Sequence, residues 1–489
     1  MSSTKYRRLN GAARLLRTLT RNRMALIGLV LLIGSVFVAV AAPLLTPYDP
    51  KSSIVAGARA APGWMRSFPD GYYLSGDVTA VEDPLFNSPQ AVQAWTLNAS
   101  STAVSNTIVS YSPGVSSSNR TSKGSLQVNY GGTSAGSVTL FKTFNYPYNG
   151  PPDSFIASMS VLASGASTLN PVNVKIFINR IGDQSFNLWD QNVTESGVWL
   201  APQPALDSRV TQLQQHLHVG STTFGPAQVI FSAIQEYSYG VQLTFSGPAK
   251  INLDNTQLLL LGTAFGVMGT DNQGADLFTQ LLYGARISLF VGLLSAAIGI
   301  GLGLIIGLIA GFIGGIGDEV LMRFTDMMLV IPTLPLLLVL ITVLGTSLIN
   351  IIIIIGFLGW MGFARIVRSQ VLTLKERPFV EAAKAVGAGR WRIISRHVFP
   401  NIVSLTYVNL ALTVPAAILT ESALEFLGLG DPSVVSWGNM FQHAEISGSL
   451  SIWWWVLPPG IAIALVSLSF VLIGYALDEI FNPRLRVRR

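Results

Sequence analysis

The sequence predicts an α-helical polytopic membrane protein with six transmembrane helices, interrupted after the first by an extracytoplasmic all-β domain of jelly-roll-like sandwich form. Three observations predict it. Of 489 residues half are hydrophobic and only 11% are charged, against about 25% charged in ordinary soluble domains. The apolar residues collect in runs of about 20, the length that crosses a ~30 Å hydrocarbon core at 1.5 Å rise per residue. Between the first run and the rest, residues 51–265 read differently, as short alternating segments separated by turns.

The spans fall at about 24–45, 287–313, 327–344, 348–366, 402–424 and 456–477. The first has a rival reading, because a basic start, an apolar stretch and Ala39-Val40-Ala41 resemble a cleaved signal peptide. Its apolar run is longer than a signal core, which favours a retained helix. Pro332, Pro335 and Pro415 lie inside spans and remove backbone donors there, so kinked helices are expected. Arg365, Glu421, Glu425 and Asp478 fall near span ends, not at the midplane. Carriers driven by protons or ions usually bury charge within the membrane, so this placement argues against one.

Basic residues orient the spans. Lys5, Arg7, Arg8, Arg14, Arg17, Arg21 and Arg23 precede the first span with no acid among them. Arg365, Arg368, Lys375, Arg377, Lys384, Arg390, Arg392 and Arg396 follow the fourth, and Arg484, Arg486, Arg488 and Arg489 end the chain. Six spans put all three segments on one side, and the positive-inside rule makes that side cytoplasmic. Residues 425–455, on the other side, hold no Lys or Arg. The net charge of +6 therefore reports topology in a cell (plasma or inner) membrane, with both termini cytoplasmic, and not a nucleic-acid partner.

The region 51–265 is rich in Ser, Thr, Asn and Gly. Strands are expected at 125–130, 137–144, 172–178, 185–189, 229–234, 241–245 and 250–261, with turns such as Asn149-Gly150-Pro151-Pro152. The run from Lys250 to Asn255 is similar to the closing strand of jelly-roll carbohydrate-binding modules. Trp95, Tyr111, Tyr130, Phe144, Tyr146, Tyr148, Trp189, Trp199, Tyr237 and Tyr239 supply either a hydrophobic core or a platform for stacking sugars. Asn98, Asn119 and Asn192 stand in glycosylation-acceptor triplets. His216 and His218 form a lone H-x-H with no ligand cluster nearby. The chain has no cysteine, which excludes a disulfide scaffold, a thiolate metal site and a cysteine nucleophile. Because one surface loop joins it to the spans, the inserted region is expected to be dispensable for their folding.

The cytoplasmic segment of about 375–400 carries the most specific pattern. It reads Glu381-Ala382-Ala383, then Gly387, then Pro400. A carboxylate suits the start of a short helix, two alanines permit close approach, and the glycine can turn left-handed. Trp391, Ile393 and Ile394 would present an apolar face among Arg390, Arg392 and Arg396. This spacing resembles the EAA loop of ABC importer permeases, with His397 and Phe399 replacing the Ile and Leu of that pattern in the manner of the dipeptide/oligopeptide branch. Gly269-Thr270-Asp271, Gly274, Asp276 and the run from Leu281 through Gly284 and Arg286 to Leu289 are similar to that branch's approach to the second span, with Ala275 where Arg is usual. Asp318, Met322, Arg323, Asp326 and Pro332 are similar to its third span. Residues 422–430 and 436–438 are similar to the outer loop after the fifth, and Pro43 to Pro50 to the end of the first.

The resemblance implies a type I ABC importer permease fold in residues 1–50 and 266–489, with 51–265 as an insertion. It implies a coupling helix seated on an ATP-binding subunit, two such subunits, a second permease subunit and an extracytoplasmic solute-binding protein. The sequence contains no G-x-x-x-x-G-K-[ST] phosphate loop, so the chain is expected to bind no cofactor, with ATP and Mg held by its partners. Import of peptides leads; import of oligosaccharides by the same machinery, or a membrane-anchored carbohydrate-binding or enzymatic domain, are the alternatives.

Overall fold

The computed structural model describes residues 22–100, 103–117, 122–180, 182, 184–217 and 225–481. The chain divides into two compact units: one comprises the residues up to Ser52 and from Leu277 onward, the other Ser53–Asp276. The basic residues from Lys5 to Arg21 and from Arg484 to Arg489, together with Asn119 and His218, lie outside the described residues.

The second unit is built of two sheets around one core. In the first, Ser154–Ser164 and Ala249–Leu261 pair antiparallel at the centre, flanked by Gly124–Tyr130, Thr107–Pro113 and the short Trp199–Leu200, Leu206–Asp207 and Val78–Thr79. In the second, the order is Thr96–Ala99, Gly136–Tyr146, Gln235–Phe245, Val172–Arg180, Ser185–Val193. Burial alternates along Gly136–Tyr146, as a strand with one dry face requires. Leu126, Val128 and Leu253 from one sheet and Leu140, Ile176 and Leu243 from the other are wholly buried in the same core.

The tyrosines here show why a polar-tipped ring can lie in a core. Tyr146 donates to the Gly150 carbonyl at 2.6 Å, Tyr130 to Ser134 at 2.7 Å and Tyr239 to Ser158 at 2.9 Å, so their hydroxyls stay satisfied. Trp95, Tyr130, Tyr146, Trp189, Tyr237 and Tyr239 are all buried, and Tyr111, Phe144, Tyr148 and Trp199 are half-buried. Tyr111, Phe144 and Tyr148 pack against the same core as the buried six, so nine of the ten serve the core reading, and Trp199 is half-buried outside it.

The strand expected at 229–234 is absent. Pro226 starts a short helix, Pro226–Ile230, because its fixed φ suits the first helical position, and Ile230 and Phe231 then plug the core. Ser154–Ser164, which sequence periodicity missed, is the central strand; its small residues Ala157, Ser158, Ser160 and Ala163 hide the alternation. In Ala249–Leu261 the register shifts between Asp254 and Gln257, with Asn255 at φ 50°. The buried Asp254 carboxylate accepts from Ser117 N, Ser117 Oγ, Ser122 Oγ and Asn255 N. His216 lies on a helix, Thr211–Leu217.

The first unit is helical. Numbered along the chain, its helices are α1 (Arg23–Leu45), α2 (Leu277–Ile313), α3 (Gly315–Val330), α4 (Thr333–Leu344), α5 (Leu348–Leu358), α6 (Met361–Lys375), α7 (Pro378–Ala385), α8 (Phe399–Leu424), α9 (Trp437–Ile446) and α10 (Trp453–Phe481). Among the described residues five runs are long and apolar enough to cross a membrane: α1, α2, Leu348–Lys375, Arg390–Leu429 and α10. The third expected span is not one straight helix, since α3 and α4 meet at 89°. Pro332, without a donor, caps α4 there, whereas Pro415 sits buried inside an unbroken α8.

Helix α2 is the strut. Gly299, Gly303 and Gly307 recur every four residues on one stripe, and an added Cβ would stand 3.0, 2.7 and 2.6 Å from the carbonyl oxygens of Gly356, Trp360 and Ala364. That stripe lets the backbones of α5 and α6 approach it directly, the packing a bilayer favours.

One half-buried carboxyl makes the second unit pH-sensitive. Burial pushes Asp77 from 3.8 up to about 6, against the opposing pull of the Gly262 N–H it accepts at 2.7 Å. Its stabilising contribution is present while the carboxyl is protonated in both states and is lost as pH rises from about 4 through about 6. Thermal melts of the protein from pH 4 to 7 should show the β unit weakening across that window, and Asp77→Asn should flatten the slope.

Candidate functional site

The loop between α6 and α8 is shaped by local rules. Pro378 occupies the first position of α7, and Glu381 stands in its first turn, where a carboxylate meets exposed N–H groups. The helix ends in a Schellman motif: Gly387 N donates to Lys384 O at 2.9 Å and Ala388 N to Ala383 O at 3.0 Å. Gly387 takes φ +81°, with open space around its Cα. Arg390–Ile393 then begins a helical run that widens to π geometry over Ile394–Val398 and continues as α8, with Pro400 exposed at its start.

The loop has two faces. Val380, Ile393, Ile394 and Val398 are buried against Val367 and Val371 of α6 and Phe312 of α2. Ile393 and Ile394 therefore anchor the loop and do not belong to its outer face, as the sequence had suggested; their helical phase turns them inward. Outward stand Phe379, Glu381, Ala382, Val386, Gly387, Arg390 and Arg392, with Val386 87% and Trp391 73% exposed. Ala383 is half-buried at the edge. An apolar, basic-rimmed patch held rigid from beneath has the character of a docking surface.

The acidic positions on α3 are engaged by α6. Asp318 receives a bidentate clasp from Arg368, at 2.5 Å to Oδ1 and 2.6 Å to Oδ2, and Asp326 pairs with Arg365. Arg323 is exposed on the same helix. Sequence reading took both arginines only as topology signals. Their spacing of three on one helix, against carboxylates eight apart on another, was the available clue.

Gly269, Thr270, Asp271, Gly274 and Asp276 form a knot within the second unit. Thr270 Oγ1 donates to Gly57 O at 2.5 Å and accepts from Ala60 N at 2.8 Å; Arg59 N donates to Asp271 O at 2.7 Å and Val55 N to Gly274 O at 2.9 Å. Gly269 has φ +71°, and a Cβ there would meet Ala60 O at 2.0 Å. Asp276 bridges back to Thr270. These residues work as structure, lashing segment 54–62 to segment 264–276.

Gly284 and Arg286 hold the N-terminal half of α2. A Cβ on Gly284 would meet the Trp437 ring at 2.9 Å, and Trp437 Nε1 donates to Leu281 O at 3.0 Å. Arg286 Nε donates to Ala39 O at 2.6 Å, with Nη2 3.4 Å from Val40 O. Pro43, four residues beyond Ala39 within α1, has no N–H to give that carbonyl. Arg286 supplies the missing donor.

Glu421 and Glu425, which the sequence places near a span end, are wholly buried. Ser288 Oγ lies 3.4 Å and Ser422 Oγ 3.2 Å from Glu421 Oε2, and Ser436 donates to Glu425. They stitch α8 to α2 and to the loop before α9. A cavity of about 120 Å³ lies among α2, α4, α5 and α8, with Ser295, Thr333, Thr413 and Thr420 in its wall. Among the described residues no group of three or more His, Asp or Glu is placed to hold a metal ion.

Comparison with known proteins finds relatives for the helical segments of the chain. Residues 303–487 match the family described as binding-protein-dependent transport system inner membrane component, and residues 12–62 match the N-terminal TM domain of oligopeptide transport permease C. The dipeptide transport system permease protein DppC of Bacillus subtilis is 41% identical over 219 residues, which cover 45% of this chain and 68% of that protein. The oligopeptide transport system permease protein OppC of the same organism is 39% identical, covering 45% and 72%. The probable D,D-dipeptide transport system permease protein DdpC of Escherichia coli is 36% identical, covering 47% and 78%. Among solved structures, a family 61 carbohydrate-binding module in complex with β-1,4-galactotriose is 10% identical and covers 38% of this chain and 99% of its own, with a TM-score of 0.24, too low to carry an argument.

The Pro43–Arg286 relation has a measurable consequence. Arg286→Ala should lower the melting temperature of the detergent-purified protein, since a carbonyl in a dry helix costs about 1–3 kcal/mol when it loses its donor. Pro43→Ala, which returns an amide donor to Ala39, should recover part of that loss when combined with it. Strict additivity of the two changes would refute the relation.

With both membrane segments matched and relatives covered over two thirds of their length or more, the chain belongs to the family of binding-protein-dependent transport system inner membrane components, in the branch of the dipeptide and oligopeptide ABC permeases.

Proposed function

We propose that this chain forms half of the membrane pathway of an ATP-driven importer of peptides and receives the power stroke through the loop from Pro378 to Arg392. The observation that carries the proposal is the two-faced loop: Val380, Ile393, Ile394 and Val398 anchor it to α2 and α6, while Phe379, Val386 and Trp391 face outward for a partner. One of two ATP-binding subunits would dock there, with ATP and Mg on the side of those subunits. Tilting of the loop would pass through α6, which the Arg368–Asp318 and Arg365–Asp326 pairs lock to α3. A second permease subunit would complete the pathway, with Thr333, Thr413 and Thr420 facing it, and an extracytoplasmic solute-binding protein would deliver the peptide.

In this reading the chain crosses the plasma or inner membrane six times, counting the bent α3–α4 pair as one broken span. Both termini are cytoplasmic and the two-sheet unit, read as a jelly-roll-like sandwich, is extracytoplasmic. Its natural boundaries are the parallel partners Ala61–Pro62 and Ala264–Phe265. The match to the N-terminal permease segment ends at residue 62, where the first of these strands ends. The insertion proper is then 63–263, narrower than 51–265, because 54–62 partners the Gly269-Thr270-Asp271 segment.

Replacing 63–263 with a short Gly/Ser linker should leave membrane insertion near the wild-type level. Removing 51–263 also takes Gly57 and Ala60 from Thr270, and should reduce it clearly. Quantifying the chain in washed membranes decides between them, and equal loss in both would show that the spans need the β unit.

The coupling assignment is tested by co-purification in detergent. Wild type should bring two ATPase subunits and a second permease. Trp391→Glu removes the largest exposed ring without touching Val380 or Ile393. Gly387→Asp forces a side chain into a left-handed conformation, at about 1–2 kcal/mol, and adds charge. Both should retain the second permease and lose most of the ATPase. A wild-type chain that purifies alone would refute the importer reading.

A further inference from the structure

We propose that the cavity among α2, α4, α5 and α8 is a pocket for one uncharged aliphatic side chain of the peptide in transit. The proposal rests on the reading above that the chain forms half of a peptide pathway. The cavity measures about 120 Å³. Pockets for whole small molecules run from roughly 300 to 1,000 Å³, so this one takes a single group. A cavity of roughly 150 Å³ walled by Leu, Ile and Phe holds a benzene ring. The branched group of a Val or Leu side chain therefore fits here with less crowding than a Phe or Trp ring.

The wall carries no charge. Ala296, Leu337, Ile355, Leu358 and Ala417 form its apolar part, each no more than 8% exposed. Three of its hydroxyls have already spent their protons. Ser295 Oγ donates to Ile352 O at 3.1 Å, Thr413 Oγ1 to Asn409 O at 2.7 Å and Thr420 Oγ1 to Ala416 O at 2.8 Å. Among the described residues no Asp, Glu, Lys, Arg or His lines the space. An ammonium or carboxylate entering it would leave water and find no partner, a cost that an alkyl group does not bear.

The pocket is preformed and open on one side. Ser295 ties α2 to α5 at its wall, and an added Cβ on Gly356 would stand 3.0 Å from Ser295 O, so the two backbones are in contact there. Leu337, Ile355, Leu358 and Ala417 belong to one buried cluster that holds the wall in place. Thr333, Gly359 and Ala416 are exposed lining residues and mark the mouth. The mouth thus opens on the side that the proposed pathway assigns to the second permease subunit. A small, rigid, alkyl-lined space on that side matches one side chain of a passing peptide. It does not match a lipid chain, whose length far exceeds it.

The test uses the whole importer in proteoliposomes, with its ATPase subunits, second permease and solute-binding protein. ATP-dependent uptake of Gly-Gly-Gly, Gly-Leu-Gly, Gly-Phe-Gly and Gly-Lys-Gly is measured at subsaturating peptide. For each peptide the rate of a variant is divided by that of wild type, which cancels selection by the unchanged solute-binding protein. Ala416→Leu narrows the mouth and should slow Gly-Leu-Gly several-fold while leaving Gly-Gly-Gly nearly unchanged. Leu337→Ala widens the pocket and should raise Gly-Phe-Gly several-fold relative to Gly-Leu-Gly. Thr420→Asp puts a carboxylate in the wall and should raise Gly-Lys-Gly while lowering Gly-Leu-Gly. Ratios that move together for all four peptides overturn the proposal, since a packing void or a lipid site gives no discrimination among side chains. Ala416 is exposed and Thr420 half-buried, so these two variants decide the matter if Leu337→Ala fails to fold. Wild-type vesicles that take up none of the four peptides refute the peptide-import reading, and the pocket falls with it.

Discussion

Inside a bilayer no water is at hand for a backbone carbonyl, and that constraint organises the membrane unit. A helix satisfies its own backbone, so each departure from helical order must be repaired by a side chain or displaced to an edge. Pro43 leaves Ala39 O without its amide, and Arg286 reaches from α2 to supply a donor at 2.6 Å. Pro332 sits at the break between α3 and α4, where the chain turns through 89°. Pro415 is accommodated within α8, buried among its neighbours. The one long stretch of strands in the chain folds as its own unit.

The same economy explains the part played by α2. Without a hydrophobic drive between helices in lipid, close backbone approach and polar stitches must supply the association. Gly299, Gly303 and Gly307 provide the approach to α5 and α6. Ser288 and Glu421 stitch α2 to α8, and Leu281 with Trp437 stitches it to α9. A movement entering at the loop between α6 and α8 thus meets a connected frame and not a set of independent rods. The α3–α6 ion pairs extend that frame, though the more exposed Arg365–Asp326 pair contributes less to stability than the sheltered Arg368–Asp318 clasp.

At the other boundary the chain leaves the membrane unit and returns through two adjacent segments. Thr270 lashes them with three hydrogen bonds to Gly57 and Ala60, and the parallel pair at Ala61 and Ala264 closes the lashing. A two-hundred-residue excursion can then be accommodated, because the cost of closing a loop grows only slowly with its length once the ends are held. This accounts for how a β-rich unit can sit between two segments that match ordinary permeases on either side.

The sequence by itself determined the elements that depend on local periodicity or backbone chemistry. The apolar runs became α1, α2, α8 and α10 with ends shifted by a few residues or, for α2, extended by ten; Glu381, Ala382 and Gly387 predicted a short helix and its left-handed stop, and the alternating stretches around Gly136–Tyr146 and Val172–Arg180 predicted strands. Composition could not see the central strand Ser154–Ser164, where serines and alanines interrupt the pattern of Phe155, Met159 and Val161, nor that Ile230 and Phe231 plug the core from a proline-started helix. Only the tertiary structure decided that Ile393 and Ile394 face inward while Trp391 faces out. It also revealed that Asp318 answers Arg368, that Arg286 answers Pro43, and that Glu421 and Glu425 are buried. Each of these depends on a partner from 11 to 247 positions away, and separation along the chain carries no signature that one sequence can show. Local geometry is written in neighbouring residues; the satisfaction of a buried carbonyl or carboxylate is settled only when distant helices pack.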